Sequence, residues 1–421
     1  MRFCMVTTFY PPFSFGGDAI GVQRLSRALA RRGHQITVVH DVDAYAALHE
    51  GPLPDPPEDD DGVRVIRLRS GLGTLGPLLV HQLGTRVLGR RRLRRLLSSG
   101  QFDVVNFHNP SLIGGPGILT WPRDAITVYT AHEHWLVCPT HVLWRSRRER
   151  CDRRHCIRCT LAYRRPPQLW RYTDLLPRAL DRIDVVIALS EFSRDKHREF
   201  GLQREMVVLP TFLPARDAVP LLSGNRPHGR PYFLSAGRLE LIKGLDDVIP
   251  VFRDLPGVDL VIAGEGDHGE QLRRVAAGSE NVHFLGRLDP EALRDWFCHA
   301  VATLVPSVCY EAFANVVVES FREGTPIVAR AVGPLPETVT TSGAGLLFSS
   351  PEELKSILAR LLRNPAQREQ LAAKARAAFQ ARWAEDVVIP RYLDLIRGAA
   401  SRRGMVHLLA KPTSPTTGTV G

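Results

Sequence analysis

The chain has 421 residues, a formal net charge of +11 and 44% hydrophobic residues. That length exceeds one ordinary domain and predicts two, and the apolar content suffices for two buried cores. No run approaches the roughly 20 apolar residues of a spanning helix, and Met1-Arg2-Phe3-Cys4 enters an apolar strand with no signal-peptide features, which excludes an integral helix and gives a cytoplasmic reading.

Basic residues are lopsided, with 5 Lys against 50 Arg. The surplus points to anionic partners, whether phosphate-bearing ligands, membrane headgroups or nucleic acid, and charge alone does not choose among them.

Residues 3–8 form a short apolar strand. Gly16-Gly17 then stands at a strand-to-helix turn, where a glycine pair lets backbone N–H groups approach a phosphate or simply makes a tight turn. Residues 19–32 follow with helical apolar spacing (Ile20, Val22, Leu25, Leu29) and stop at Gly33, a C-terminal cap. Strands are expected at 35–40, 63–68, 102–107 and 126–129, with a Pro- and acid-rich mobile loop at 51–62. Residues 185–189 lead into Ser190, a hydroxyl suited to capping the next helix. Alternating strands and helices predict a parallel sheet covered on both faces.

Residues 214–231 lack periodicity and are rich in Pro, Gly and Arg, as a linker would be. They separate an N-terminal domain (1–213) from a C-terminal one (232–384), which repeats the alternating pattern at 232–236, 245–252, 259–263, 282–285, 302–306 and 326–329. Helical stretches at 365–383 and 386–399 close the fold, with the last helix (385–400) expected to cross back to the first domain and 403–421 expected to be a disordered tail. The fold class is α/β, with two Rossmann-like doubly wound domains facing a cleft at the carboxyl ends of their strands.

The chemistry concentrates in the second half. Ser235-Ala236-Gly237-Arg238-Leu239 is followed closely by Lys243-Gly244, and an Arg fork with a Lys point charge can hold a diphosphate. Further on, Glu311 and Glu319 bracket Ala312-Phe313-Ala314-Asn315-Val316-Val317-Val318. Asn315 is expected to cap a helix running toward Arg322, aiming its amide dipoles at the diphosphate. Two carboxylates so placed can contact the hydroxyls of a sugar (Glu311) and of a ribose (Glu319). Paired carboxylates also serve glycoside hydrolysis, but the phosphate-binding half has no task there.

Taken in order, these segments resemble a family-4 retaining glycosyltransferase of the GT-B fold, in the glycosyl transferases group 1, over nearly the whole chain. Ile262-Ala263-Gly264-Glu265-Gly266 and Phe284-Leu285-Gly286-Arg287 belong to the same resemblance. It implies transfer of a hexosyl-type sugar from a UDP- or GDP-sugar, with retention and no cofactor for catalysis, to a glycan or lipid-linked glycan in cell-surface polysaccharide or glycolipid synthesis. Donor binding would fall to Gly16, Gly17, Arg238, Lys243, Gly264, Phe313, Asn315, Glu319 and the backbone of Arg287, which would pair with the base. The resemblance puts His132, in Thr130-Ala131-His132-Glu133-His134-Trp135, against the transferred sugar, with Glu133 where the family has Asp. Ala314 replaces the usual Gly after Phe313. Catalytic roles would fall to His132, Glu311, Arg238 and Lys243.

Two other classes compete. A dinucleotide-binding oxidoreductase is disfavoured by the missing Gly-x-Gly-x-x-Gly after the first strand. A non-catalytic nucleic-acid binder would use the cysteines, but no nucleic-acid module is recognised, so no such partner is expected.

Those cysteines are Cys138, Cys151, Cys156 and Cys159, spaced C-x12-C-x4-C-x2-C inside a Cys-rich insertion at about 136–172 of the first domain. A tetrahedral structural zinc is the sharpest reading, with an iron–sulfur cluster or free thiols as alternatives. Segments 86–95 and 145–171 are dense in Arg with interspersed Leu, Trp and Tyr, which suits either a peripheral anionic-membrane face or a solvated basic surface.

Overall fold

A computed structural model describes residues 1–215 and 226–409 of the chain. Its strands, in order, are β1 (Arg2–Thr7), β2 (Gln35–Asp41), β3 (Val63–Leu68), β4 (Val104–Asn109), β5 (Ile126–Ala131), β6 (Trp144–Arg145), β7 (Glu149–Arg150), β8 (Val185–Ala188) and β9 (Val207–Val208). There follow β10 (Tyr232–Ala236), β11 (Asp259–Ala263), β12 (Val282–Gly286), β13 (Thr303–Val305), β14 (Ile327–Arg330) and β15 (Gly345–Phe348).

The first sheet runs β3-β2-β1-β4-β5-β8-β9 and the second β12-β11-β10-β13-β14-β15. In each the chain starts centrally, winds outward to one edge, then returns to wind the other way. The reversal falls between β1 and β4 in one sheet and between β10 and β13 in the other, and each pair is parallel. Such switch points leave crevices at the carboxyl ends of the strands. The α/β class with two doubly wound parallel sheets is thus observed.

The second sheet shows why its strands read as continuous apolar runs. In β10, Phe233 faces a core shared with Phe252, Leu260, Ile262 and Leu358, while Leu234 faces the opposite core with Val261 and Phe297. Both faces are covered, so the period of two disappears from the hydrophobicity and only length and β-branching remain as signal. Each such side chain, fully buried, contributes about 1.5–3 kcal/mol of apolar transfer.

The chain packs as two compact units, Met1–Thr130 with Gln168–Ile187 and Ile389 onward, and Ala131–Pro167 with Ala188–Val388. The Cys-rich segment, expected in the first domain, therefore packs within the second unit. The last helix, Glu385–Arg402, extends past its expected end, and its later part belongs to the first unit. There Tyr392 accepts a hydrogen bond from the Asn106 side chain at 2.9 Å.

Several expectations need correction. In the helix Gly17–Arg31 the buried stripe is Ala19, Val22, Ser26 and Leu29, while Ile20 is 46% exposed. The loop at 51–62 is pinned at its far end, because Asp60 is buried and accepts hydrogen bonds from Tyr10 Oη (2.5 Å), Gln23 (2.9 Å) and Arg27. Residues 403–409 are ordered: Arg403 donates to the carbonyls of Ala125 (2.6 Å) and Arg123 (2.9 Å), and Leu408 is buried. Residues 216–225 of the expected linker (214–231) and 410–421 of the expected tail (403–421) lie outside the described residues.

Candidate functional site

In the second unit the phosphate-binding candidates follow consecutive strands of one sheet. Gly237 and Arg238 leave β10, Gly264 leaves β11, Gly286 and Arg287 end β12, and Glu311 follows β13. The glycines are sterically required. Gly264 has φ +145°, its N–H donates to the Gly286 carbonyl at 2.7 Å, and a Cβ there would sit 1.8 Å from the Gly237 oxygen. A Cβ on Gly244 would come within 2.3 Å of the Pro306 carbonyl. These contacts hold the loops after β10, β11 and β13 edge to edge, so that side chains from distant segments share one rim.

On that rim Lys243 Nζ donates to Glu311 Oε1 at 2.8 Å. The same oxygen accepts the Ser307 hydroxyl at 2.5 Å. Burial alone would pull the Lys243 ammonium down, but the Glu311 carboxylate outweighs it and leaves the pKa above its ordinary value. Arg238 lies largely in solvent, 2.9 Å from Glu240, so its fork is available at the mouth of the site. The structure therefore brings together Arg238, Lys243, Gly264 and Glu311. Arg287 is exposed at the end of β12, and Phe313 packs partly against the core beneath the next helix.

That helix is Asn315–Arg322, and the expectation that Asn315 caps it is wrong. Ala314 is the capping position, and no side chain caps the helix. Asn315 is its first helical residue, so its backbone N–H belongs to the unsatisfied first turn. Ala314 has φ −98° and ψ 95°, an extended conformation open to any residue, so replacing the usual Gly distorts nothing. Glu319 lies one turn into the helix and is half-buried.

Contacts that sequence reasoning missed hold the Glu311 loop. His134 is 1% exposed, and its Nε2–H donates to the Tyr310 carbonyl at 3.1 Å. Burial, then the neighbouring His197 ring, lowers its pKa to about 3, so it is a neutral structural donor. Ser190 caps the helix Glu191–Glu199 as expected by accepting from Ser193 N–H, and its own hydroxyl donates to the Ala312 carbonyl at 2.7 Å. The Lys196 ammonium sits 4.6 Å over the Tyr310 ring. His134 and Tyr310 are 176 residues apart, and no local pattern announces such a contact.

His132 is half-buried two residues before this donor. The Glu133 carboxylate meets His141 Nδ1 at 2.5 Å. Burial would raise the Glu133 pKa, but His141, then His132 and Arg165, hold it below the carboxylate range. Gly16 and Gly17 belong to the first unit, where Gly16 is the capping position of the helix Gly17–Arg31 and no side chain caps it.

Cys138, Cys151, Cys156 and Cys159 are free thiols in one neighbourhood. Burial, followed by the charges of Cys138, Cys156 and Cys159, pushes the Cys151 thiol up to about 11. Cys138 Sγ meets the Thr140 hydroxyl at 3.3 Å, and Cys159 Sγ accepts from Ser146 N–H at 3.2 Å. Among the described residues no three of these sulfurs lie within 4.8 Å of one another, and the one cluster of three ligand atoms that does lies elsewhere.

A cavity of about 460 Å³ opens beside this rim, among Trp144, Arg148, Arg150, Val308 and Arg330. Its Val308 wall is tied to the Lys243 loop by a 2.9 Å bond from Val308 N–H to the Ile242 carbonyl. In the first unit the helix Arg90–Leu97 buries Leu93 and Leu97 and presents Arg90, Arg91, Arg92, Arg94 and Arg95 outward. Leu72, Leu75, Leu78, Leu83 and Val87, just before it in sequence, are each at least 45% exposed. Arg86 departs from the expected basic face, since it is buried in an ion pair with Asp41 and donates to the Ile113 carbonyl at 2.9 Å. No helix among the described residues is long and apolar enough to cross a membrane.

The sequence matches two family descriptions, Glycosyltransferase Family 4 over residues 15–216 and Glycosyl transferases group 1 over residues 223–378. Among curated relatives, a D-inositol 3-phosphate glycosyltransferase of Xylanimonas cellulosilytica is 30% identical, covering 92% of this chain and 93% of its own. Among solved structures, sucrose-phosphate synthase of Thermosynechococcus elongatus superposes with TM-score 0.68 at 20% identity, covering 96% and 99% of the two chains. HepE of Anabaena, solved with UDP and glucose, gives 0.65 at 17% identity, covering 96% and 100%. At those identities the superpositions establish the GT-B fold.

Proposed function

Because the chain belongs to the glycosyl transferases group 1 and is a glycosyltransferase, we propose that it moves a hexosyl-type sugar, with retention, from a UDP- or GDP-sugar to a glycan or lipid-linked glycan acceptor. The observation that carries this reading is the Lys243–Glu311 pair on a glycine-built rim at the switch point of the second sheet. Arg238 and Lys243 would take up the charge of the departing nucleoside diphosphate, with the uncapped amides of the helix Asn315–Arg322 aimed at the same anion. Glu311 would hold hydroxyls of the sugar, Glu319 those of the ribose, and the Arg287 backbone would meet the base. His132 would face the sugar. Gly16 and Gly17 would supply backbone amides from the first domain. The solved relative that holds UDP and glucose supports a nucleotide-sugar donor.

A lipid-linked acceptor is favoured over a soluble glycan by the exposed leucines and outward arginines of the first unit, a composition suited to an anionic membrane surface. On this reading the protein is cytoplasmic and peripheral at the inner face of the membrane. The cavity lined by Arg148, Arg150 and Arg330, with Glu149 among them, would offer polar space of net positive charge for an acceptor.

The test is mass spectrometry of products formed from a panel of UDP-, GDP- and TDP-sugars with membrane extract, followed by NMR of the new linkage. One donor should yield a sugar-extended product whose anomeric configuration matches the donor. Inversion would overturn the retaining mechanism, and failure of every nucleotide sugar would overturn the donor class.

A further inference from the structure

The amino ends of the second sheet, opposite the rim that carries Lys243 and Glu311, hold a second cluster. Asp259 opens β11, His283 is the second residue of β12, and His228 lies just before β10. Asp259 is 1% exposed, and its Oδ2 meets His228 Nε2 at 2.5 Å and His283 Nε2 at 3.1 Å. The two rings are 5.0 Å apart. Oδ1 has no aligned hydrogen bond, only the Arg230 guanidinium at 3.2 Å.

The geometry points to a divalent-metal site here, with zinc held by His228 Nε2, His283 Nε2 and Asp259 Oδ2. Here both imidazoles aim at one oxygen while the other lacks an aligned donor. These are the only three His, Cys, Asp or Glu ligand atoms among the described residues that lie within 4.8 Å of one another. Two borderline imidazoles with one carboxylate oxygen suit Zn²⁺, with water as the fourth ligand. That position is reachable, since the His283 side chain is 37% exposed and that of His228 21%. In the metal-bound site each ring gives its Nε2 lone pair to the ion and carries its N–H on Nδ1. Arg230 then stays on Oδ1 and orients the carboxylate from behind. The site takes no part in transfer. It ties the segment entering β10 to β11 and β12, so its effect is on stability.

Untagged full-length protein purified without chelator is assayed for zinc, alongside His228→Ala, His283→Ala and the double variant Cys156→Ser/Cys159→Ser. One equivalent should be lost in each histidine variant and kept in the cysteine one. Zinc at a hundredfold excess over its Kd should raise the thermal midpoint of the wild type by about 5 °C and leave His283→Ala unmoved. Cobalt loaded into wild type reads the ligands directly, without needing any variant to fold: weak d–d bands with no thiolate charge-transfer band are expected. Zinc that disappears only in the cysteine variant, cobalt bands of thiolate type alone, or a wild type that neither binds zinc nor gains stability from it would overturn the assignment.

Discussion

Lys243 and Glu311 are 68 residues apart in sequence and 2.8 Å apart in space, and each is a residue that donor chemistry would employ. The pair fixes the ammonium and holds the carboxylate, which also takes the Ser307 hydroxyl, in one orientation. Preorganised charge of this kind acts without a reorganisation cost at the moment of reaction.

Lys243→Ala and Arg238→Ala should each cut turnover by more than about a hundredfold. They should differ in stability. Removing Lys243 leaves Glu311, only 12% exposed, without its cation, so the thermal midpoint falls and is restored in the Lys243→Ala/Glu311→Ala double variant. Arg238 is 56% exposed, and its loss should leave the midpoint unchanged. Turnover at the wild-type level in either single variant would remove the diphosphate assignment.

Glu319→Ala should mainly raise KM for the donor, and Glu311→Ala should mainly lower kcat. Ribose contacts are the same in ground and transition states, whereas sugar contacts change as the glycosidic bond breaks. Steady-state kinetics on both variants decide this, and equal, small effects would make the carboxylates structural.

Gly264→Ala should abolish activity or folding, because its Cβ would lie 1.8 Å from a backbone oxygen that cannot move without the β10 loop. Ala314→Gly, by contrast, should keep its kinetics and cost about 0.5–1 kcal/mol of backbone entropy, since Ala314 needs no special conformation. Denaturation curves with initial rates separate the two. A gain of activity in Ala314→Gly would mean the loop is strained.

The contrast marks what the sequence could and could not carry. The placement of Gly237, Arg238, Lys243, Gly264 and Glu311 was legible because each follows a strand of a doubly wound sheet. The Ser190 cap was legible because capping is local, as is the pairing of a hydroxyl with an N–H three residues on. Asn315 misled because a capping side chain is only a preference, and here the chain turns one residue earlier. The clamp of His134 and Ser190 on Tyr310 and Ala312 was invisible, since it joins carbonyl oxygens, which every residue has, across more than a hundred positions. The packing of the Cys-rich segment escaped for the same reason.

Stability should fall as pH drops below about 6.5. Burial lowers the pKa of His40 and His134 to about 3 and of His197 to about 4, so each stays neutral in the fold and charges on unfolding. A histidine depressed in this way contributes fully above its unfolded pKa of about 6.5 and loses that contribution as pH falls toward the folded value. Each should cost about 1.4 kcal/mol per pH unit between 6.5 and 5, above the range where carboxylates titrate. Urea unfolding at pH 7, 6 and 5 measures it. A flat profile would show that these rings take up protons within the fold.

Binding to membranes should depend on lipid charge and on salt. The helix Arg90–Leu97 turns five arginines outward, and Leu72, Leu75, Leu78, Leu83 and Val87 stand exposed in the same unit. Arginines near an anionic surface contribute about 1 kcal/mol each, over a Debye length of about 10 Å at 0.1 M salt, and the leucines add apolar burial that salt does not screen. Liposome flotation should therefore show binding to anionic vesicles at low salt, weaker binding at high salt, and little to neutral vesicles. Arg91→Glu/Arg92→Glu/Arg95→Glu should abolish flotation while leaving donor binding intact, since these residues lie outside the donor site. Leu75→Ser/Leu78→Ser should weaken flotation at every salt concentration. Binding indifferent to both lipid charge and salt, or none at all, would move the acceptor from a lipid-linked glycan to a soluble one and leave the basic helix a solvated surface.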